Sequence, residues 1–474
     1  MKLKYIVLGC IIAGTVAPSC KKTDLFKAPD NSISADAVFS TPDRIEKASV
    51  GMYDALQNSN YFGGRVLVYA DIRGLDAIPN AFFGNMGFYS STNSSDGTVA
   101  TAYQGAYRTI YQANLFLQGF TPKASLVSAA KAAQYTGEAE FIRSLCYFYL
   151  VNLWGQPYNF TTDASHLGVP LVLTAATDPF ATTNNLPRAS VKAVYDQIEK
   201  DLLDAEAKLP VSQVDAFTSV ARATKGAARA LLARLYLYKG DWTNANKYAD
   251  LVIGEGLYSL NVNNPVVAFR PSYTTPESIF SVAMSGADNP NTNNSLGQHY
   301  NPHARGDIAI STDFINLMDT TVDLRYRAKN GDSLVERFGG AYWTRKYAGL
   351  TTDFVPVLRY AEVILTKAEA LAKLATGGVA DPTALTLLNS IRTRSNAAPV
   401  VAANQAALIT ALIKERRLEL AFEGQGSLEF NRNKQDLPAH STVPIQPWGS
   451  NYRVLPIPKY DTDKNPSETQ NPGY

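Results

Sequence analysis

Residues 223–253 read ATKGAARALLARLYLYKGDWTNANKYADLVI. Apolar positions recur at helical spacing on both sides of Gly240-Asp241-Trp242. The spacing predicts one helix over 223–239 and a second over 243–253, folded back through that short turn. Leu232, Ala233 and Tyr236 on the first helix and Ala245 on the second set the contact line. Small residues there let two antiparallel helices approach closely.

These offsets resemble a tetratricopeptide repeat, a helix pair with a period of ~34 residues. Ala249 and Val252 are only acceptable substitutes, so the repeat is degenerate. A second such pair is expected over 359–374 and 382–394. Gly377-Gly378 ends its first helix, while Asp381-Pro382 starts the next with an N-cap and a proline at the first helical position. Further helices are expected after Thr41-Pro42-Asp43, with Ile45, Ala48, Met52 and Leu56 on one face, and over 101–121. Another runs from Ser128 to Leu153 and stops at Gly155, with Pro157 beyond. Ser190 caps one that ends at Pro210, and a last one is expected over 405–423. Long insertions at 57–100, 155–187 and 262–355 separate the helices, and the first reads as a structured loop region. Strand signals are few, the best being Ser278–Val282. The fold class is mainly α, with helix pairs and long insertions carrying short strands.

The amino terminus has its own pattern. Lys2 and Lys4 precede an apolar run from Tyr5 to Val16, shorter than the ~20 residues a membrane span needs. Val16-Ala17-Pro18-Ser19-Cys20 follows and resembles a lipobox, in which the chain is cut before a lipidated Cys. The expected organisation is a signal peptide at 1–19 and a lipidated tether at 20–32. A helical region at 33–260 and a region at 261–474 then pack as one globular unit. No later apolar run reaches spanning length. The formal charge is +2, and loss of Lys2 and Lys4 with the signal takes it to zero, which gives no reason to expect nucleic acid. Cys146 alone would remain free after processing, so no disulfide framework is expected.

Chemical motifs are sparse. His299 and His303 share a helical spacing, but Pro302 between them argues against a helix, and no Cys cluster completes a zinc site. His166 and His440 stand alone. Asp461-x-Asp463-x-Asn465 begins like a calcium loop, yet Pro466 replaces the turn glycine and Pro472 the closing Glu. Asp288, Asn291, Asn293 and Asn294 form a polar turn-rich loop. Glu415, Glu419 and Glu423 lie four apart, as a glycosidase pair would require carboxylates, but Arg416 and Arg417 beside them point to structural ion pairs. No nucleophile elbow or phosphate loop is present, so no catalysis, cofactor or metal is expected.

Several stretches are similar to the SusD/RagB proteins, surface nutrient-binding lipoproteins of Bacteroidetes. They include Leu358-Arg359-Tyr360-Ala361-Glu362-Val363-Ile364-Leu365, Leu388-Asn389-Ser390-Ile391-Arg392 and Glu415-Arg416-Arg417-Leu418-Glu419-Leu420-Ala421-Phe422-Glu423-Gly424. Leu455-Pro456-Ile457-Pro458, the ending Gln470-Asn471-Pro472-Gly473-Tyr474, Gly137–Arg143 and Leu153-Trp154-Gly155 fit the same pattern. After Gly424 the family continues with a basic-aromatic stretch, whereas this chain has Gln425-Gly426-Ser427-Leu428. The resemblance implies a SusD-like fold on the outer face of the outer membrane. It also implies non-catalytic capture of an oligosaccharide and its delivery to a SusC-type TonB-dependent transporter. A helical scaffold that binds no sugar is the alternative, and the aromatic-rich insertions weigh against it. Aromatic faces pack on the C–H faces of sugars while Asn, Asp and Arg bond the hydroxyls. The candidate ligand residues are therefore Phe82, Phe83, Phe88 and Tyr89 in the first insertion. In the last insertion they are His299, Tyr300, Arg305, Tyr342 and Trp343.

Overall fold

Thr224 and Asp241 decide where the central helix pair begins and turns. The Thr224 hydroxyl accepts the Ala227 N–H at 3.2 Å, and the Asp241 carboxylate accepts that of Asn244 at 3.0 Å. Gly240 between them adopts φ +75°, the left-handed conformation a helix-ending glycine supplies. Leu232, Ala233, Ala245, Ala249 and Val252 are all buried, so even the substitute positions of the degenerate repeat seal the contact.

The structure, a computed structural model, describes residues 35–474 except 88, 90, 91, 179, 263, 271, 272, 292 and 440–442. The expected signal peptide, Cys20 and the tether at 20–32 lie outside the described residues, as do Phe88 and His440. Among the described residues ten helices have eight residues or more: α1 (Pro42–Leu56), α2 (Arg65–Ile72), α3 (Gly97–Phe120), α4 (Ala129–Trp154), α5 (Val191–Lys208), α6 (Lys225–Lys239), α7 (Trp242–Gly254), α8 (Tyr360–Leu374), α9 (Pro382–Arg394) and α10 (Gln405–Glu419). Each packs on the next through α3–α4–α5–α6–α7–α8, with α1 against α3 and both α9 and α10 against α8. One continuous apolar core runs through the stack, from Phe39 to Ile457. No helix among the described residues is long and apolar enough to cross a membrane.

Strands are short and antiparallel. They are β1 (Ala77–Pro79), β2 (Leu167–Pro170), β3 (Arg188–Ser190), β4 (Ser278–Val282), β5 (Ile308–Ile310), β6 (Val335–Phe338), β7 (Ala341–Thr344) and β8 (Val355–Arg359). One sheet has the order β1-β5-β7-β6, and the others pair β2 with β3 and β4 with β8. The fold is mainly α with few strands, and Ser278–Val282 is a fully buried strand.

Two expectations need correction. The 57–100 segment is not simply a loop, because Val66 to Ala70 lie inside α2 and every one of them is buried. The helix expected to reach Glu423 stops at Glu419, and Phe422 takes φ +64°. Glu423 therefore leaves the helix face shared by Glu415 and Glu419. All three carboxylates are buried and paired, but not with Arg416 and Arg417. Arg359 reaches Glu423 at 2.6 Å and Glu277 at 3.0 Å, and Arg394 bridges Glu277 at 2.9 Å and Glu419 at 2.5 Å. Arg325 and Arg392 each hold Glu415 at 2.6 Å. Arg416 turns to Glu429 at 3.1 Å and Arg417 to Asp76 at 2.5 Å. The carboxyl ends of α9 and α10 and the start of α8 are thus joined by charges drawn from remote segments.

The last residues clasp α4. Leu455 N–H donates to Leu153 O at 2.7 Å, and Trp154 Nε1 donates to Pro456 O at 3.0 Å. Asn471 Nδ2 donates to Trp154 O and Leu455 O, each at 2.7 Å.

Candidate functional site

β1 pairs with β5 and delivers the chain to Asn80-Ala81-Phe82-Phe83. Asn80 N–H donates to Asp307 O at 2.7 Å, and its Oδ1 accepts the Phe82 N–H at 2.9 Å. This side-chain turn separates two adjacent rings. Phe83 goes inward at 2% exposure and packs against Tyr69 and His299, whereas Phe82 goes outward at 48%. The Phe82 ring stands edge-on to Phe83 at 4.8 Å and stacks over His299 at 5.8 Å. The Arg305 guanidinium lies 4.3 Å and that of Arg65 5.4 Å from its centroid. An aromatic face is thereby presented to solvent on a fixed base.

That base is an electrostatic unit. His299 Nδ1 lies 2.8 Å from Asp307 Oδ2, which also accepts Arg305 Nε at 2.7 Å, while Asn80 Nδ2 donates to Oδ1 at 3.0 Å. Burial pushes the Asp307 carboxyl up, but the hydrogen bonds from His299, Arg305 and Asn80 outweigh it and hold it at about 2. Burial pulls the His299 pKa below its usual value, with the bond to Asp307 opposing. A neutral ring giving its Nδ1–H to Asp307 leaves Nε2 as an acceptor, and that atom is buried without a hydrogen-bond partner.

Beside Phe82 is a polar cleft of about 490 Å³, lined by Phe82, Asn85, Asn93, Ser95, Asp96 and Thr98 among others. Asp96 caps α3 by accepting Thr98 N–H at 2.8 Å. Amides and hydroxyls thus surround one exposed ring. On the other side, Arg305 NH1 donates to Asn293 Oδ1 at 3.1 Å. Trp343 on β7 comes next, because a Cβ added to Gly306 would stand 3.5 Å from its ring edge. Trp343 pairs with Glu336 across the β6–β7 hairpin, and its Nε1 donates to Phe338 O at 3.1 Å. Phe338, 47% exposed, lies 4.4 Å from the His303 ring, and His303 Nε2 meets Glu336 at 2.7 Å.

The structure therefore places Arg305 over Phe82, with Trp343 beside the next residue, Gly306. Tyr342 pairs with Arg337 and points to the opposite face of the hairpin, toward Tyr326. Phe83, Tyr89, His299 and Tyr300 are corrected to packing positions, since all are at most 2% exposed. Tyr89 donates its hydroxyl to Arg73 O under the Arg73 guanidinium. Tyr300 donates to Asp71 Oδ2 at 3.1 Å and packs on Tyr347 and Phe422. The chain reading missed Arg65, Asn85, Asn93, Ser95, Asp96 and Phe338. The first five stand in the 57–100 insertion and Phe338 in the 262–355 insertion. Among the described residues no group of three His, Cys, Asp or Glu side chains is arranged to hold a metal.

Comparison with known families covers both halves of the chain. A SusD-like family model, described as starch-binding and associating with the outer membrane, matches residues 25–237. A SusD family model matches residues 325–474. The chain belongs to the SusD/RagB family. SusD-like protein P2 of Formosa agariphila is 23% identical over 537 aligned residues, covering 100% of this chain and 99% of the relative. A SusD superfamily protein from Bacteroides fragilis superposes with a TM-score of 0.79 at 29% identity, over 91% of this chain and 100% of that one. A putative sugar binding protein from Bacteroides vulgatus gives 0.79 at 25% identity, over 92% and 99%. Membership accounts for the buried motif residues as scaffold: Arg359, Arg392, Glu415, Glu419 and Glu423 make the ion network rather than a ligand surface.

Proposed function

We propose that this SusD/RagB protein captures an oligosaccharide without cleaving it and passes it to a SusC-type TonB-dependent transporter in the outer membrane. The observation that carries the reading is the exposed Phe82 ring, fixed on His299 and Arg305 beside a cleft of amides and hydroxyls. A sugar can lay its C–H face on that ring while its hydroxyls reach Asn85, Asn93, Ser95 and Asp96. Trp343 and Phe338, beyond Arg305 and Gly306, would offer rings to a further residue of the same glycan. The carboxylates that could have served hydrolysis are neutralised inside the scaffold, which favours binding over catalysis. Lipid on Cys20 would anchor the chain by two or more acyl chains, each buried CH₂ contributing ~0.8 kcal/mol. Residues 20–32 would be the tether, with 33–260 and 261–474 packed as one unit outside the cell.

Calorimetric titration of a panel of oligosaccharides into the purified protein tests the binding. Saturable binding that Phe82→Ala weakens supports the reading. Failure of every oligosaccharide, with retained co-purification of the transporter, would favour the scaffold. Protease treatment of intact cells tests the location, and full protection would put the protein on the periplasmic side.

A further inference from the structure

α10 and the chain that follows it, with Asp71, Asp76 and Leu317, line a second cavity of about 410 Å³ that shares no lining residue with the Phe82 cleft. Its walls are apolar, with Leu317, Ile413, Leu420, Phe422, Phe430 and Pro438 among them. The size and lining are those of a small-molecule site, where an apolar body is oriented by a few polar groups.

Most of the polar groups in the wall are already engaged. Asp71 accepts the N–H groups of Gly424 at 3.0 Å and Gly426 at 3.2 Å. Asp76 is bridged to Arg417, Arg416 to Glu429, and Asp436 accepts Trp448 N–H at 2.7 Å. Besides the exposed Gln435 amide, two groups are left. Gln425 is 4% exposed, and its Oε1 is buried with no hydrogen-bond partner. A buried amide oxygen in that condition costs free energy that a bound donor recovers. Lys414 stands exposed at the mouth, and among the described residues no carboxylate pairs with it. The backbone that carries Gln425 is held firmly: a Cβ on Gly74 would meet Gly426 C at 2.6 Å, so the two glycines pack in contact. Gln425-Gly426 is also where this sequence leaves the basic-aromatic pattern of its family.

We propose that this cavity is a second ligand site, for a small amphipathic acid. Its apolar body lies among Ile413, Leu420, Phe422 and Phe430. A hydroxyl on that body donates to Gln425 Oε1, and the carboxylate meets Lys414. The site is independent of glycan capture, because none of these residues touches the Phe82 surface.

The test is calorimetric titration of the purified protein with decanoate, 10-hydroxydecanoate and decyltrimethylammonium, all below their micelle concentrations. The expected order is 10-hydroxydecanoate tightest, decanoate next and the cation weakest, with one site each. Thr410→Trp, an exposed position on the lining, fills the cavity and should weaken both acids at least tenfold. Lys414→Glu should weaken them about five-fold, as an exposed ion pair allows, and favour the cation. Both variants should keep the wild-type melting curve. Phe82→Ala should leave the acids unaffected. Equal binding of acid and cation, no binding of either acid, or an unchanged Thr410→Trp would each overturn the proposal. Loss of acid binding in Phe82→Ala would also do so, by placing the acid elsewhere.

Discussion

Phe82→Ala removes the exposed ring that stands beside the polar cleft. A phenylalanine side chain offers ~200 Å² of surface, and at 48% exposure roughly half of it is open. A sugar stacked on one face would cover about 50 Å² of ring and bury a similar area of its own C–H surface. At ~25 cal/mol per Å², those ~100 Å² contribute ~2.5 kcal/mol, or about sixty-fold in Kd. Phe82→Leu keeps part of that area and should fall between, at roughly eight-fold. The folded state loses less, because half of the ring was already solvated, and the melting temperature should drop by only a few degrees. Titration of the best oligosaccharide from a panel reads the affinity, with a thermal melt beside it. An affinity within threefold of the wild type in Phe82→Ala, with the fold intact, would refute the stacking argument. Phe83→Ala is not an equivalent experiment. That ring is buried, and its loss should cost ~3–5 kcal/mol of stability.

Glu419→Gln leaves Arg394, Arg359 and Arg325 facing an uncharged group in the interior; the expected loss is ~3–5 kcal/mol, read as a lower urea midpoint at unchanged m-value. Gly424→Ala should destabilise by at least ~1–3 kcal/mol. The backbone there has φ +76°, and the new Cβ would stand 2.6 Å from Leu67 Cγ, so denaturation of that variant at wild-type stability would contradict the close approach. His299 should titrate below 6.5 by ¹³C-histidine NMR, and further below in Asp307→Asn, because the carboxylate holds that value up. Both folded pKa values are depressed. The support His299 gives is therefore full above about 6.5 and declines as pH falls. That of Asp307 is full above about 4 and is lost as pH falls toward about 2. A His299 that titrates above 6.5 would reverse the sign.

The helix pairs were legible because their signals are local. Asp381-Pro382 and Gly240-Asp241 state a start and a stop within two residues, and the apolar spacing between them has one reading. α2 was not, since Val66-Leu67-Val68-Tyr69-Ala70 is buried on every side and so carries no amphipathic period. The ion network was half legible. Charges in an apolar helix announce partners, but Glu277 and Arg359 stand 82 residues apart and only the fold joins them. The site was legible as a segment and not as residues. Phe82 and Phe83 are chemically identical neighbours, and the choice of which one faces water is made by Asn80 bonding to Asp307, 227 residues away. The same holds for Tyr342 and Trp343, which the pairing with β6 sends to opposite faces.

The clasp between Trp154 and Asn471 sets a timetable for synthesis. The two residues are 317 positions apart, so the carboxyl end of α4 cannot be capped until Asn471 has left the ribosome. At ~5–20 residues per second the wait is roughly 15 to 60 s. Through that interval the rim of the largest core, at Leu153 and Trp154, stays without its covering segment. A nascent chain in this condition has every early helix available and no finished interior. It remains threadable, and a substrate for holding chaperones, until Leu455 to Asn471 arrive.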